Sequence, residues 1–249
     1  MAVAIAVWCW VIIMALATGS FLGVVISRLP NHEPILLGRS ECPHCHTRLG
    51  ALDLMPVASF VLQKARCRYC GAKIDPYHLW VELAALVVVL LAVWRGGSTR
   101  NFLDLCLLGF ILMPIAWIDA THRWLPDRIV LPGILIGLAM CWWIAPHALV
   151  AHIIGAALGF AVLATVRGTF RRVTGRDLFS LGAAKLLALA GAWTGWQYLG
   201  PILLCAAIVG IALALIDRAR HKPAGPDPRI PLGTYMAPFI YLAALRLLP

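Results

Sequence analysis

Eight long apolar runs, each parted from the next by a short polar stretch, leave this chain few folds to choose from. Hydrocarbon satisfies no backbone polar group, so a run of about 18 or more apolar residues reads as a self-bonded transmembrane helix. The runs cover about 4–26, 79–94, 102–118, 129–145, 148–166, 178–196, 201–216 and 234–248. Several fall short of the ~20 residues that cross a bilayer upright and must borrow flanking residues. Composition agrees, with 61% hydrophobic and 13% charged residues; soluble chains average roughly 45–50% and about 25%. The first run has no basic n-region, is too long and lacks a convincing small-residue cleavage site before Arg28, so it is expected to be retained.

The net charge of +10 is placed as a membrane protein places it. Loops after the first, third, fifth and seventh runs hold 7, 2, 4 and 4 Lys/Arg, which is 17 of the 21. Loops after the second, fourth and sixth hold only Arg95 and Arg100. Basic residues stay on the cytoplasmic side, so the odd loops are predicted to be cytoplasmic and both termini external. The predicted fold class is an all-α polytopic membrane protein of about eight transmembrane helices. Residues 1–28 form the first helix, 29–77 a cytoplasmic insert and 78–249 a membrane domain of about seven helices.

The insert of about 50 residues between Arg28 and Tyr77 is too small to fold on an apolar core alone. It carries CPHC (Cys42, Cys45) and CRYC (Cys67, Cys70), with 21 residues between the pairs. Two such knuckles suit tetrahedral thiolate coordination of Zn²⁺, and the metal would supply the folding energy the core cannot. Disulfides are the alternative, but they rarely persist in a reducing cytoplasm. A full thiolate set leaves His44 and His46 exposed. Cys9, Cys106, Cys141 and Cys205 sit singly in apolar runs and read as packing residues. Seven basic against four acidic residues in the insert is the excess its membrane side already demands, so no nucleic-acid partner is expected.

Ionisable residues at membrane depth are costly and tend to be functional. In "WIDATHRWLPDRIVLP", residues 117–132, Asp119 closes the third run. A carboxylate at a helix C-terminus meets the negative end of the dipole, so its presence there needs a reason, and general acid–base chemistry supplies one. Asp127 is expected to cap the fourth helix. Glu82, Asp104 and Asp217 each serve either a local ion pair or the site.

Taken together, these motifs resemble the type IV prepilin peptidases, bifunctional membrane aspartic proteases that also N-methylate their product. The likeness covers nearly the whole chain. "GSFLGVVISRLP" (19–30) resembles the family's first-span ending, with Gly23 where Asn is usual; "CPHC…DLMPVASFVL…CRYCGAKI…VEL" (42–83) follows its zinc-loop pattern; "IPLGTYMA" (230–237) resembles its last-span entry. "IDATHRWLPD" (118–127) resembles the segment of the first catalytic aspartate, which maps to Asp119. The second catalytic segment usually reads Gly-x-Gly-Asp-x-Lys-Leu. Here it reads Ser180-Leu181-Gly182-Ala183-Ala184-Lys185-Leu186, so Ala183 stands where the second aspartate belongs.

The resemblance implies cleavage of the basic leader of prepilins or pseudopilins after a glycine, at the cytoplasmic face of a bacterial inner membrane. It further implies methylation of the new N-terminus from S-adenosylmethionine, with no binding residue assigned beyond the zinc loop and its neighbouring polar loops. Aspartic proteolysis divides acid and base work between two carboxylates, so this chain is expected to bind substrate and cleave it poorly or not at all. Asp177, about 240° round a helix from position 183, is not a replacement. Lys185 reads as a residue kept for the missing aspartate. The intact surroundings of position 183 point to an active enzyme disabled by one Asp→Ala change rather than to a degenerate lineage. The competing readings are a non-proteolytic scaffold or methyltransferase-only relative that binds pilin-like partners, and a transporter relaying charge through Asp119, Lys185 and Glu82. The transporter reading lacks the inverted repeat it calls for.

Overall fold

The computed structural model describes residues 2–35, 38–175, 177, 179–220 and 230–247. Among them there is no β-strand, and the strand-like pairings are two isolated antiparallel bridges, Glu41 with Arg48 and Arg66 with Lys73. The chain is all-α, as its apolar runs require. It divides into two compact units, Met1–Trp94 and Arg95–Pro249.

In the first unit, α1 (Ala2–Arg28) packs on α3 (Tyr77–Arg95), and the polar insert between them carries the short α2 (Ala58–Leu62). Gly19 permits the close approach, since a Cβ there would lie 2.7 Å from the Glu82 Cα. Arg28, in the last turn of α1, donates to the carbonyls of Pro34, Gly38 and Arg39 at 3.0, 2.9 and 3.1 Å. It complements the negative helix end and fixes how the chain leaves the helix.

The second unit contains α4 (Thr99–His122), α5 (Asp127–Ile144), α6 (Leu149–Thr174), α7 (Leu181–Thr194), α8 (Leu199–Ala219) and α9 (Leu232–Leu247). Its core is α7, buried from Ala183 to Thr194 at every position but Lys185 and packed on α5, α6 and α9. Small residues allow this. Gly155 and Gly159, a GxxxG pair on α6, meet the α7 backbone at Gly191 and Leu187; a Cβ on Gly155 would lie 2.7 Å from the Gly191 oxygen. Backbones approach this closely where small residues replace a bulkier interface. On the α5 side, the Trp193 indole N–H donates to the Gly133 oxygen at 2.9 Å, and its ring fills the space beside Gly137.

Among the described residues, six helices are long and apolar enough to cross a membrane: Ala6–Arg28, Tyr77–Arg95, Thr99–His122, Asp127–Ile144, Pro146–Thr174 and Trp196–Ile216. The predicted count of eight spans is therefore not established. The runs expected at 178–196 and 234–248 form helices of 14 and 16 residues over their described parts. At 1.5 Å per residue these reach about 21 and 24 Å, short of the ~30 Å hydrocarbon core. α7 is also enclosed by its neighbours, so most of its apolar side chains meet protein. Residues 221–229, with Lys222 and Arg229, and the side chains of Asp217 and Arg218 lie outside the described residues.

Candidate functional site

The four cysteines of the insert come together. Sγ atoms of Cys42, Cys45, Cys67 and Cys70 lie within 4.8 Å of one another, and Cys42 and Cys70 are 3.8 Å apart. A tetrahedron with Zn–S bonds of ~2.3 Å has edges of about 3.8 Å, so the cluster fits a zinc ion. Each knuckle is built the same way. Cys42 N–H donates to the Thr47 oxygen and Cys67 N–H to the Ala72 oxygen, and one antiparallel bridge pinches each turn. The residue after the second cysteine takes positive φ in both, His46 at 54° and Gly71 at 72°.

His46 thus holds a turn position, and with His44 it is exposed, as expected of non-ligands. Hydrogen bonds from Thr47 hold the Cys45 thiol down at about 6, and backbone N–H groups of Cys70 and Tyr69 lower Cys67; both favour the thiolate that binds metal. Asp53, whose side chain is only 5% exposed, braces the two knuckles. Its oxygens accept from Gln63 Nε2 at 2.9 Å and the Gly50 N–H at 3.1 Å, with Arg68 at 3.6 Å. Sequence reading counted Asp53 merely as charge. The signal it missed was an acid placed between two knuckles.

In the second unit, Asp119 lies in the last turn of α4, 2% exposed. The first turn of α9 clasps it. Thr234 donates its N–H at 2.9 Å and its hydroxyl at 3.3 Å to Oδ2, and that hydroxyl also reaches the Ala116 oxygen at 3.1 Å. Both donors take one oxygen and leave Oδ1 to other partners. Gly233 lies close beside the carboxylate: a Cβ there would sit 2.9 Å from Leu125 Cδ2 and 3.0 Å from Asp119 Oδ2. The carboxylate that a helix C-terminus disfavours is therefore supported by the N-terminal turn of another helix, whose N–H groups attract anions. Thr234 lies inside the quoted IPLGTYMA motif, yet nothing local to that motif tied it to Asp119.

Position 183 is linked to the same end of this unit through Leu125, which lies against both Gly182 and Gly233. Going round α7 at ~100° per residue, Leu189 and Trp193 face α5, with Gly182 in line with them against Leu125, while Leu187 and Gly191 face α6. Ala183, 1% exposed, falls between those stripes and away from exposed Leu181.

Lys185 is two residues on, about 200° away, and residues so spaced do not face each other. The sequence reads it as kept for the missing aspartate; in the structure its Nζ lies 2.6 Å from Asp127 Oδ2. Asp127 in turn does not cap α5. Pro126 occupies the cap position with no side-chain bond, and Asp127 is the first helical residue, which frees its carboxylate for Lys185.

The remaining acids divide. Asp177 pairs with Arg167 at 2.9 Å, and Arg167 also holds the Phe179 oxygen at 3.2 Å, so Asp177 braces the chain entering α7. Glu82 forms no ion pair among the described residues and accepts from the Val57 N–H at 2.7 Å. Asp104 is buried in α4 and likewise has no ion pair among the described residues.

Residues 13–96 match the bacterial peptidase A24 N-terminal domain, and residues 106–215 match the type IV leader peptidase family. Prepilin leader peptidase/N-methyltransferases of Pseudomonas putida and of Pseudomonas aeruginosa (strain PAO1) are each 32% identical, aligned over 94% of this chain and 88% of their own length. That of Aeromonas hydrophila is 33% identical over 94% and 89%. The chain belongs to the type IV leader peptidase family. No solved structure matches it. The first matched segment covers most of the first compact unit and ends two residues into the second, which holds the second segment; the cysteine cluster lies in the first unit and Asp119, Ala183 and Lys185 in the second. Helices able to cross a membrane and a cysteine cluster able to hold a metal accord with a multi-pass membrane member.

Proposed function

We infer that this chain is built to cleave the leader of prepilins or pseudopilins after a glycine, at the cytoplasmic face of the inner membrane, and to N-methylate the product. We further infer that its protease half is silent because Ala183 replaces one of two catalytic carboxylates. One observation carries this reading: a buried aspartate, Asp119, supported by the start of α9, at the end of the bundle where Leu125 joins it to the first turn of α7. Asp119 is proposed as one member of the dyad and position 183 as the place of the other. In an active member, one carboxylate takes the proton of the attacking water while the other protonates the scissile carbonyl or leaving amine. Asp119 alone holds one of these protons and cannot hold both in the order the reaction needs.

Lys185 is proposed to act through Asp127, fixing the start of α7 against α5 so that position 183 keeps its place. Zinc on the four cysteines is proposed to be structural, tying together an insert with little core. S-adenosylmethionine would supply the methyl group.

The test compares the chain as given with Ala183→Asp, using a prepilin in liposomes and reading leader removal by gel shift. Cleavage by the Ala183→Asp form alone is expected, with a gain of at least ~10²-fold, the low end of what one general acid or base contributes. Cleavage by the chain as given would refute the dyad assignment. Cleavage by neither form, with substrate still bound, would favour the scaffold or methyltransferase-only alternative.

A further inference from the structure

Segment 50–66 of the insert looks wrongly made for water. Leu52 and Leu62 are 63% and 80% exposed, and Leu54, Met55 and Val61 join them in an exposed apolar ridge around α2. A soluble surface rarely shows such a patch without a partner.

The ridge is also held in one place. Val57, a β-branched residue, has φ 57° and ψ −49°. With the Ala58 N–H donating back to the Pro56 oxygen, this is a γ-turn of the strained, positive-φ kind. Such strain persists only where the surroundings impose it. Here the Val57 N–H is fixed by Glu82 Oε2 at 2.7 Å. Glu82 is buried in α3, a helix able to cross a membrane, five residues past its start at Tyr77 and two past exposed Trp80. At 1.5 Å per residue, Glu82 lies about 7 Å beyond the helix start. Exposed tryptophans near helix ends mark the headgroup level, so the anchored turn sits at or just below that level.

We propose that residues 52–62 form a re-entrant wedge of the metal-binding insert whose apolar ridge is covered by the bilayer into which α1 and α3 enter, on a leaflet of anionic lipid. Charge favours this occupant. Lys64, Arg66, Arg68 and Lys73 follow the ridge and are exposed, whereas Asp53, the acid within it, is turned inward onto Gln63, Gly50 and Arg68. Apolar residues with adjoining lysines and arginines are the composition that binds anionic interfaces. The insert is tethered by membrane helices at both ends, so the lipid surface is within reach without any further partner. The anionic leaflet rests on the proposed cytoplasmic placement of the insert. Glu82, which sequence left between an ion pair and a catalytic role, becomes the anchor that sets the depth of the wedge.

The full chain, loaded with zinc and reconstituted in nanodiscs containing phosphatidylglycerol, would carry a fluorescent amino acid at position 62, at position 52, or at His44 as an exposed control. Quenching by an acyl-chain doxyl lipid and by aqueous iodide would be compared. At 62 and 52 the doxyl effect should exceed the iodide effect several-fold, and at His44 the order should reverse. Iodide quenching at 62 equal to that at His44 would overturn the proposal, and so would iodide protection that appears only after prepilin is added. Glu82→Leu should move the probe at 62 toward iodide while zinc content stays at one ion per chain. Glu82→Gln, which keeps an acceptor for Val57, should leave it buried. An unchanged probe in Glu82→Leu would remove Glu82 as the anchor. Protease accessibility of the insert in vesicles reads the membrane side separately, so an error in topology and an error in the wedge give different results.

Discussion

Lys185 Nζ lies 2.6 Å from Asp127 Oδ2, a bond between the second turn of α7 and the first residue of α5. It changes the meaning of the lysine. Two residues from Ala183, Lys185 is turned to a different helix face and serves a carboxylate that is present. Asp127 is half exposed, with side-chain exposure of 53% against 22% for the lysine. Such a pair contributes roughly 0–1 kcal/mol to stability, so its value lies in placing α7, not in holding the fold.

In the Ala183→Asp background, Lys185→Met or Asp127→Asn should therefore lower kcat for leader removal while shifting thermal unfolding by less than ~1 kcal/mol. Exchanging the two residues, Lys185→Asp with Asp127→Lys, should recover part of the rate. A rate that follows stability, with no recovery in the exchange, would leave the pair without a positioning role.

Asp119→Asn, again with Ala183→Asp, keeps the size of the side chain and an acceptor for Thr234. It should nonetheless abolish cleavage, with a loss of at least ~10²-fold. Thr234→Val removes only the hydroxyl shared between Asp119 and the Ala116 oxygen. A lost hydrogen bond of this kind costs about 1–2 kcal/mol, and at 1.4 kcal/mol per tenfold cleavage should fall by about 5–30-fold. Single-turnover assays distinguish the two losses.

Gly159→Leu and Gly191→Leu place side chains where α6 and α7 meet backbone to backbone. Each should lower thermal stability in detergent by several kcal/mol, at or above the roughly 1–3 kcal/mol typical of overpacking. Gly168 has open space around its Cβ direction. Gly168→Ala should be neutral or stabilise by up to ~1 kcal/mol from helix propensity.

One zinc per chain is expected by metal analysis. A single Cys→Ser change at Cys42, Cys45, Cys67 or Cys70 should reduce it, and a chelator should make residues 40–73 protease-sensitive. His44→Ala should change nothing. His46→Gly should keep the metal, because glycine suits the positive φ that Gly71 already occupies in the second knuckle.

The sequence by itself determined the helical class, the location of the apolar helices and the two cysteine pairs, because hydrophobic run length and CxxC spacing are local and each has few physical solutions. It also singled out Asp119 and the alanine at position 183 as candidates, through motifs read residue by residue. What it could not supply were matters of partner. Apolar character alone does not tell lipid from protein, so only the folded chain shows that α7 is enclosed by its neighbours. A charged residue does not name its counterion, so Lys185 was matched with a neighbour on another face of its own helix while Asp127 waited 58 positions away. Likewise only the folded chain brings Thr234 to Asp119 across 115 positions and Glu82 to Val57 across 25. Hydrogen bonds and ion pairs act within about 3–4 Å, and which distant groups come that close is decided by helix packing.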